Sequence, residues 1–142
     1  MRYAYPANLE WEPDRSAVTV TFDDLPGATF GATEAEALAR AEDLLETALS
    51  FYTDDGSPAP RPTPAKGRPL VFTRPLVAAK MALHEAMLAV GVSNVELGRR
   101  LGLDEKAVRR LRDPRHRSHI GQVEAALRLL GKRLEVRVLE AS

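Results

Sequence analysis

Four prolines at alternate positions, Pro58, Pro60, Pro62 and Pro64, constrain this chain more than any other feature. Proline fixes its own φ, has no amide hydrogen to donate, and steers the preceding residue away from the helical region. Alternation at this density favours extended backbone over any packed element, so residues 54–68 read as a proline-rich loop. Before the tract the apolar residues recur with a period of two and then feed one helix; after it they recur with the helical period. The fold class that follows is α+β, with a sheet-plus-helix domain and then a helical one.

Tyr3, Tyr5, Ala7, Leu9 and Trp11 alternate as one face of a strand, and Pro6 argues for an edge position or a bulge in it. Pro13-Asp14-Arg15 supplies a turn into a second strand carrying Val18, Val20 and Phe22, which makes a hairpin. After Pro26-Gly27, Ala28-Thr29-Phe30 forms a short third strand. Thr33 followed by Glu36 is a capping box, and the helix it opens carries Leu38, Ala41, Leu45, Ala48, Leu49 and Tyr52 on one face. Leu70-Val71-Phe72 is expected to rejoin the sheet as a fourth strand, because a sheet under one helix gains cover from it. The domain border then falls near Arg74-Pro75, giving residues 1–75 and 76–142.

In the second part Leu76, Ala79, Leu83, Met87 and Leu88 mark a helix that Gly91 stops, with Met81 and Met87 as core filler. Ser93 and Glu96 cap a short helix through Leu101; Gly102 breaks it, and Asp104 caps another to about Arg112. Leu97, Leu101, Leu103, Val108 and Leu111, with the small Gly98 among them, form a helix-turn-helix pattern. Four helices and then an alternating segment, Leu134-Glu135-Val136-Arg137-Val138, complete the chain. That segment reads as a strand without a partner in a helical domain, open to pairing with another copy.

Charge is sorted along the chain. Residues 1–60 hold three basic and twelve acidic residues, residues 61–142 seventeen basic and eight acidic. Dividing at the domain border softens the asymmetry and localises it, because Arg99 to Arg117 alone contains eight basic and three acidic residues. Such density is the footprint of a phosphate-backbone contact. Lys106, Arg109 and Arg110 are the candidates for base readout, Arg112 adds to the basic helix, and Arg115 and Arg117 are expected to position the backbone. Asp23 and Asp24, acidic and in a loop, are candidates for contact with a basic protein.

Enzymatic and metal readings find little support. Cysteine is absent, and no carboxylate completes a ligand set around His116 and His119. Asp23 and Asp24 are adjacent, so on a strand they would point to opposite faces. Gly27 and Gly31 are not followed by the Gly-Lys-Ser/Thr of a phosphate loop. No cofactor, metal or catalytic residue is expected. No window approaches the ~20 apolar residues of a membrane span, and the opening Met1-Arg2-Tyr3-Ala4-Tyr5-Pro6 lacks a signal-peptide apolar run, so a cytoplasmic protein is expected.

Both halves resemble one family, the HicB antitoxins of bacterial toxin–antitoxin pairs. Asp24-Leu25-Pro26-Gly27, Gly31-Ala32-Thr33 and Glu36-Ala37 are similar to its small partial ribonuclease-H-like domain. Five further stretches resemble its helix-turn-helix branch: Lys80 to Met87, Leu97 to Gly102, Val108 to Leu111, Asp113 to Ser118 and Ala126 to Gly131. The resemblance implies a protein that binds and blocks HicA, a small mRNA-cleaving toxin, and represses its own operon by binding operator DNA. It also implies an inactive ribonuclease-H-like domain, and self-association as a dimer or higher oligomer through the terminal strand would supply the symmetry of a palindromic operator. A stand-alone helix-turn-helix regulator with a ligand-sensing or dimerising N-terminal domain is the alternative.

Overall fold

A computed structural model describes residues 2–141. Strands β1 (Ala4–Trp11), β2 (Val18–Phe22), β3 (Ala28–Gly31) and β4 (Leu70–Phe72) form one antiparallel sheet in the order β3-β2-β1-β4. Leu9 lies opposite Val20 and Tyr5 opposite Val71, so the inward faces of all three strands coincide. Helix α1 (Glu34–Asp55) covers that face with Ala37, Ala41, Leu45, Ala48 and Leu49, all buried with Tyr5, Val18 and Val20. The capping box forms as the sequence requires. Thr33 Oγ1 accepts from the Glu36 amide at 3.1 Å, and Glu36 Oε2 accepts from the Ala32 amide, one residue beyond the cap.

The fourth strand rejoins the sheet where expected, and in doing so it corrects the reading of Pro6. β1 is central, flanked by β2 and β4, and Pro6 lies opposite Leu70 with no bulge in that register. The Ala7 amide donates toward the β4 side, to the Pro69 carbonyl. By alternation Pro6 would donate toward β2, whose ladder begins only at the Ala7–Phe22 pair. The missing amide hydrogen therefore costs no ladder bond, and a central strand tolerates the proline.

The proline tract has no regular structure, yet it is fastened along its length. Tyr5 donates its hydroxyl to the Pro60 carbonyl at 2.8 Å, and burial pushes that phenol's pKa well above its ordinary value. The Ala59 amide donates to Glu85, and the Thr63 amide and hydroxyl both donate to Asp24. Arg68 reaches Asp23, Asn8 and the carbonyls of Pro64 and Ala65. Prolines supply carbonyls but no amides, so side chains from the sheet and the next helix satisfy the tract.

The second part contains α2 (Pro75–Val90), α3 (Asn94–Leu101), α4 (Glu105–Arg112) and α5 (Ile120–Leu129). Helix α2 is apolar on nearly every side because it serves two cores. Val77 and Met81 pack into the sheet core, whereas Ala79, Leu83, Ala86 and Met87 pack with Leu97, Val108, Leu111 and Val123. A helix apolar all round is one buried all round. Among the described residues no single helix is long and apolar enough to cross a membrane.

The expected terminal strand is absent from the fold: Lys132–Ala141 carries no regular secondary structure. Leu134 rests against the helical core, but Val136 and Val138 are exposed. A strand needs ladder partners, and the nearest elements of the helical part are helices whose backbone groups are already used.

Candidate nucleic-acid interface and its buried support

The short helices α3 and α4 meet through the three residues Gly102–Asp104. Ser93 Oγ accepts from the Glu96 amide at 3.1 Å and Asp104 Oδ1 from the Ala107 amide at 2.7 Å, so each helix starts on a capping side chain. Gly102 closes α3 in the left-handed region at φ 70°, where a side chain is strained. Gly98 is needed for a different reason: a Cβ there would lie 2.5 Å from the Leu103 carbonyl oxygen. Leu97, Val108 and Leu111 are buried beneath the pair.

This packing turns Lys106, Arg109 and Arg110 outward, all three exposed. Arg109 pairs with Glu105 one turn earlier, and Glu96 draws Arg99 and Arg100 on α3. Arg117, in the loop after α4, is exposed too. Pairs this open to water contribute ~0–1 kcal/mol and yield readily to a competing anion.

Arg112 and Arg115 are placed otherwise. Arg112 turns inward: one Nη donates to Asn94 Oδ1 at 2.7 Å and the other to His84 Nδ1 at 2.6 Å. Arg115 donates to both Asp54 carboxylate oxygens at 3.1 Å and to Asp113 Oδ1 at 3.0 Å, tying the loop after α4 to the end of α1. Its neighbours hold the Arg115 guanidinium above its ordinary pKa, with the Asp113 hydrogen bond the main cause. For Asp113, burial pushes the carboxyl up, but the Arg115 hydrogen bonds and charge outweigh it and the net shift is down. A cleft of about 520 Å³ opens here, with Asp54, Asn94, Arg109 and Arg115 on its walls.

Beneath this surface lies a polar support that sequence reasoning missed. Lys80 and His84 are one turn apart on α2 and each is 0% exposed. Lys80 Nζ donates to the Arg110 carbonyl at 2.7 Å, the Asp113 carbonyl at 3.0 Å and Ser118 Oγ at 2.8 Å. Its three hydrogens thus occupy the C-terminus of α4 and the loop beyond, where the helix dipole favours a cation. Burial lowers its pKa to about 8. His84 Nε2 lies 2.7 Å from the Ser57 carbonyl. Arg112 can only donate, so Nδ1 accepts and Nε2 carries the hydrogen to Ser57: His84 is the neutral Nε2–H tautomer. Burial is the main cause of its lowered pKa, with Arg112 acting in the same direction. The chain of bonds runs from the proline tract through α2 to α4 and α3. The signal in the sequence was two polar residues at i and i+4 in the most apolar helix.

Asp23 and Asp24 do not converge on one point. Asp23 accepts from Asn8 and Arg68, which together lower its pKa, Asn8 foremost. Asp24 accepts from Thr63. Both fasten the proline tract to the sheet. The acidic outer side of α1 is also partly engaged, since Arg74 pairs with Glu42, Asp43 and Glu46.

Comparison with known proteins places this arrangement. Residues 4–82 match the family described as HicB_like antitoxin of bacterial toxin-antitoxin system. Antitoxin HicB 2 of Photorhabdus laumondii is 39% identical over 133 residues, 93% of this chain and 94% of that protein. Antitoxin HicB of Escherichia coli K12 is 37% identical over 134 residues, 93% and 96% of the two chains. Antitoxin HicB of Pseudomonas fluorescens Pf0-1 is 43% identical over 129 residues, covering 89% and 88%. The family match spans the sheet, α1, the proline tract and the first half of α2, and the relatives extend over the basic helices. This chain belongs to the HicB antitoxin family.

Proposed function

We propose that this protein is a cytoplasmic, non-enzymatic antitoxin that binds and neutralises a small HicA-like ribonuclease. Its N-terminal domain, residues 1–75, serves as a partial ribonuclease-H-like toxin-binding module. Residues 76–142 bind operator DNA and repress the operon, with α3 and α4 as the helix-turn-helix and α4 as the reading helix. The observation that carries the DNA half is the outward row Lys106, Arg109 and Arg110 over the buried Val108 and Leu111. These three read bases, while Arg117, and Arg115 once released from Asp54, meet phosphates. Arg112 acts by holding α4 against α2 and α3. Self-association through the terminal segment would present α4 twice, as a palindrome requires. Asp23 and Asp24 contribute to toxin binding by shaping the proline tract as well as by charge.

Two measurements test this reading. Co-expression with a cognate HicA-like toxin should restore growth and yield a stable complex; continued toxicity without a complex would sink the antitoxin role. Arg110→Ala should weaken operator binding by ~1–3 kcal/mol and relax sequence preference, whereas Arg117→Ala should weaken operator and random DNA alike. Equal losses on both DNAs for both variants would overturn the division of labour.

A further inference from the structure

The two edges of the sheet are finished differently. At the β3 edge Arg40 donates to the Phe30 carbonyl at 2.9 Å and lies over the Phe30 ring, with Glu36 paired to it. A charged side chain on an edge is a common guard against further strand pairing. At the β4 edge Arg2 lies over the Phe72 ring, but among the described residues no side chain bonds to the Leu70 or Phe72 backbone. The Thr73 amide donates to the Tyr3 carbonyl and the Ala7 amide to the Pro69 carbonyl. By alternation Val71 is bonded to β1, and Leu70 and Phe72 turn their amides and carbonyls to the open side.

Apolar surface flanks these open groups on both faces of the sheet. Val71 is buried, so Leu70 and Phe72 project on the face away from α1, where they are 41% and 43% exposed. On the other face a groove of about 320 Å³ runs between β4 and α1, lined from the helix by Ala35, Leu38, Ala39 and Glu42. The proline tract leads directly into this edge, with Asp24 holding Thr63 and Asp23 holding Arg68. We propose that the β4 edge receives an extended strand of the basic toxin, which pairs with Leu70 and Phe72 and lays alternate side chains in the groove beside α1. The proposal rests on the toxin-binding reading above and gives it a surface.

Charge selects that occupant. Glu42, Asp43 and Glu46 stand along α1 near the groove, and Arg74 meets all three, leaving three carboxylates against one guanidinium. A protein that cleaves RNA must hold a polyanion, and so carries basic side chains that suit this row. A second copy of this chain fits less well. Joined across β4 by a two-fold axis, it would set the same acidic row against itself. The small side chains of Ala35 and Ala39 leave room for larger ones on the incoming strand.

The test uses the full chain and a catalytically inactive form of the cognate toxin. Leu70→Pro deletes an outward amide hydrogen and no ladder bond, and a strand edge is where a sheet tolerates proline. It should weaken the complex about tenfold more than Leu70→Ala, which trims the same side chain but keeps the donor. Glu42→Lys should weaken binding roughly tenfold at low salt and less at high salt. Arg40→Ala, on the opposite edge, should leave affinity within about twofold. Hydrogen exchange of the wild type gives an independent readout. The Leu70 and Phe72 amides should exchange fast in the free chain and about a hundredfold slower in the complex, with Val71 protected in both. A wild-type chain that forms no complex overturns the antitoxin reading and this surface with it. A wild-type complex in which those two amides stay fast, and Leu70→Pro binds like Leu70→Ala, overturns the surface alone. Protection in the free chain that rises with its concentration gives the edge to a second copy and overturns the choice of occupant.

Discussion

The sheet part and the helical part of the molecule place their charges differently. Around the sheet, charge stays at the surface: Arg74 braces Glu42, Asp43 and Glu46, and Arg68 meets Asp23, all with water alongside. In the helical part, charge and polarity go inside. Lys80 and His84 are fully buried with their hydrogens directed at backbone or a neighbouring side chain, and Arg112 is turned inward with both Nη atoms bonded and its buried Nε left without a partner. Exposed pairs contribute ~0–1 kcal/mol, whereas stripping the partner from a buried polar group costs ~1–3 kcal/mol or more. The basic character of the helical part is therefore of two kinds. Lys106, Arg109, Arg110 and Arg117 stand exposed at the surface, Arg109 paired with Glu105, while Lys80 and Arg112 hold α4 from within.

The sharpest way to break this comparison is Lys80→Ala. It leaves the Arg110 and Asp113 carbonyls without their donor and opens a void, so we expect a loss of ~2–4 kcal/mol in urea unfolding. A loss within ~0.5 kcal/mol would show that the buried lysine is no support. Lys106→Ala, on the same scale, should change stability by less than ~0.5 kcal/mol while weakening DNA binding.

A pH titration should sharpen the role of His84. Its folded pKa is depressed, so near neutrality the unfolded chain binds more protons and stability rises with pH. Stability is therefore full above the unfolded histidine value of ~6.5 and declines as pH falls below it. Unfolding midpoints measured from about pH 7.5 to about 5.5 should fall for the wild type and stay flatter for His84→Gln. Parallel curves would remove His84 from the support.

A small effect on binding is expected for Asp54→Asn. That change releases Arg115 from α1 and, the pair being exposed, should shift stability by less than ~1 kcal/mol. DNA affinity at low salt should rise about two- to threefold as Arg115 becomes available to phosphate. Unchanged affinity would mean that the Asp54 contact does not restrain it.

Much of the fold was legible because it is local. Alternation at Tyr3 to Trp11 and at Val18 to Phe22, the caps at Thr33, Ser93 and Asp104, and the return of Leu70 to Phe72 all match the elements observed. Pro6 was misplaced because strand order, not composition, decides which side of a strand has a neighbour. The terminal strand failed to form because alternation supplies a face but no ladder. At the candidate interface, Lys106, Arg109 and Arg110 face outward as a helical projection suggests, and Arg117 is exposed in the loop beyond. Arg112 and Arg115 could not be told apart from them, since a guanidinium reads the same whether it meets solvent, Asp54 or the ring of His84.

By itself the sequence determined the order of elements from β1 to α4, the proline break, the density of charge after Arg99, and the apolar faces of α1, α3 and α4. These depend on contacts within one turn or one strand, where spacing and geometry are the same thing. Only the tertiary structure decided that α2 is shared between two cores, that the proline tract is fastened from both sides, and which basic residues are supports. Those outcomes depend on residues some thirty positions apart, such as Lys80 and Arg110. No local period encodes such a meeting, because burial is a property of the assembled neighbours and not of the residue that is buried.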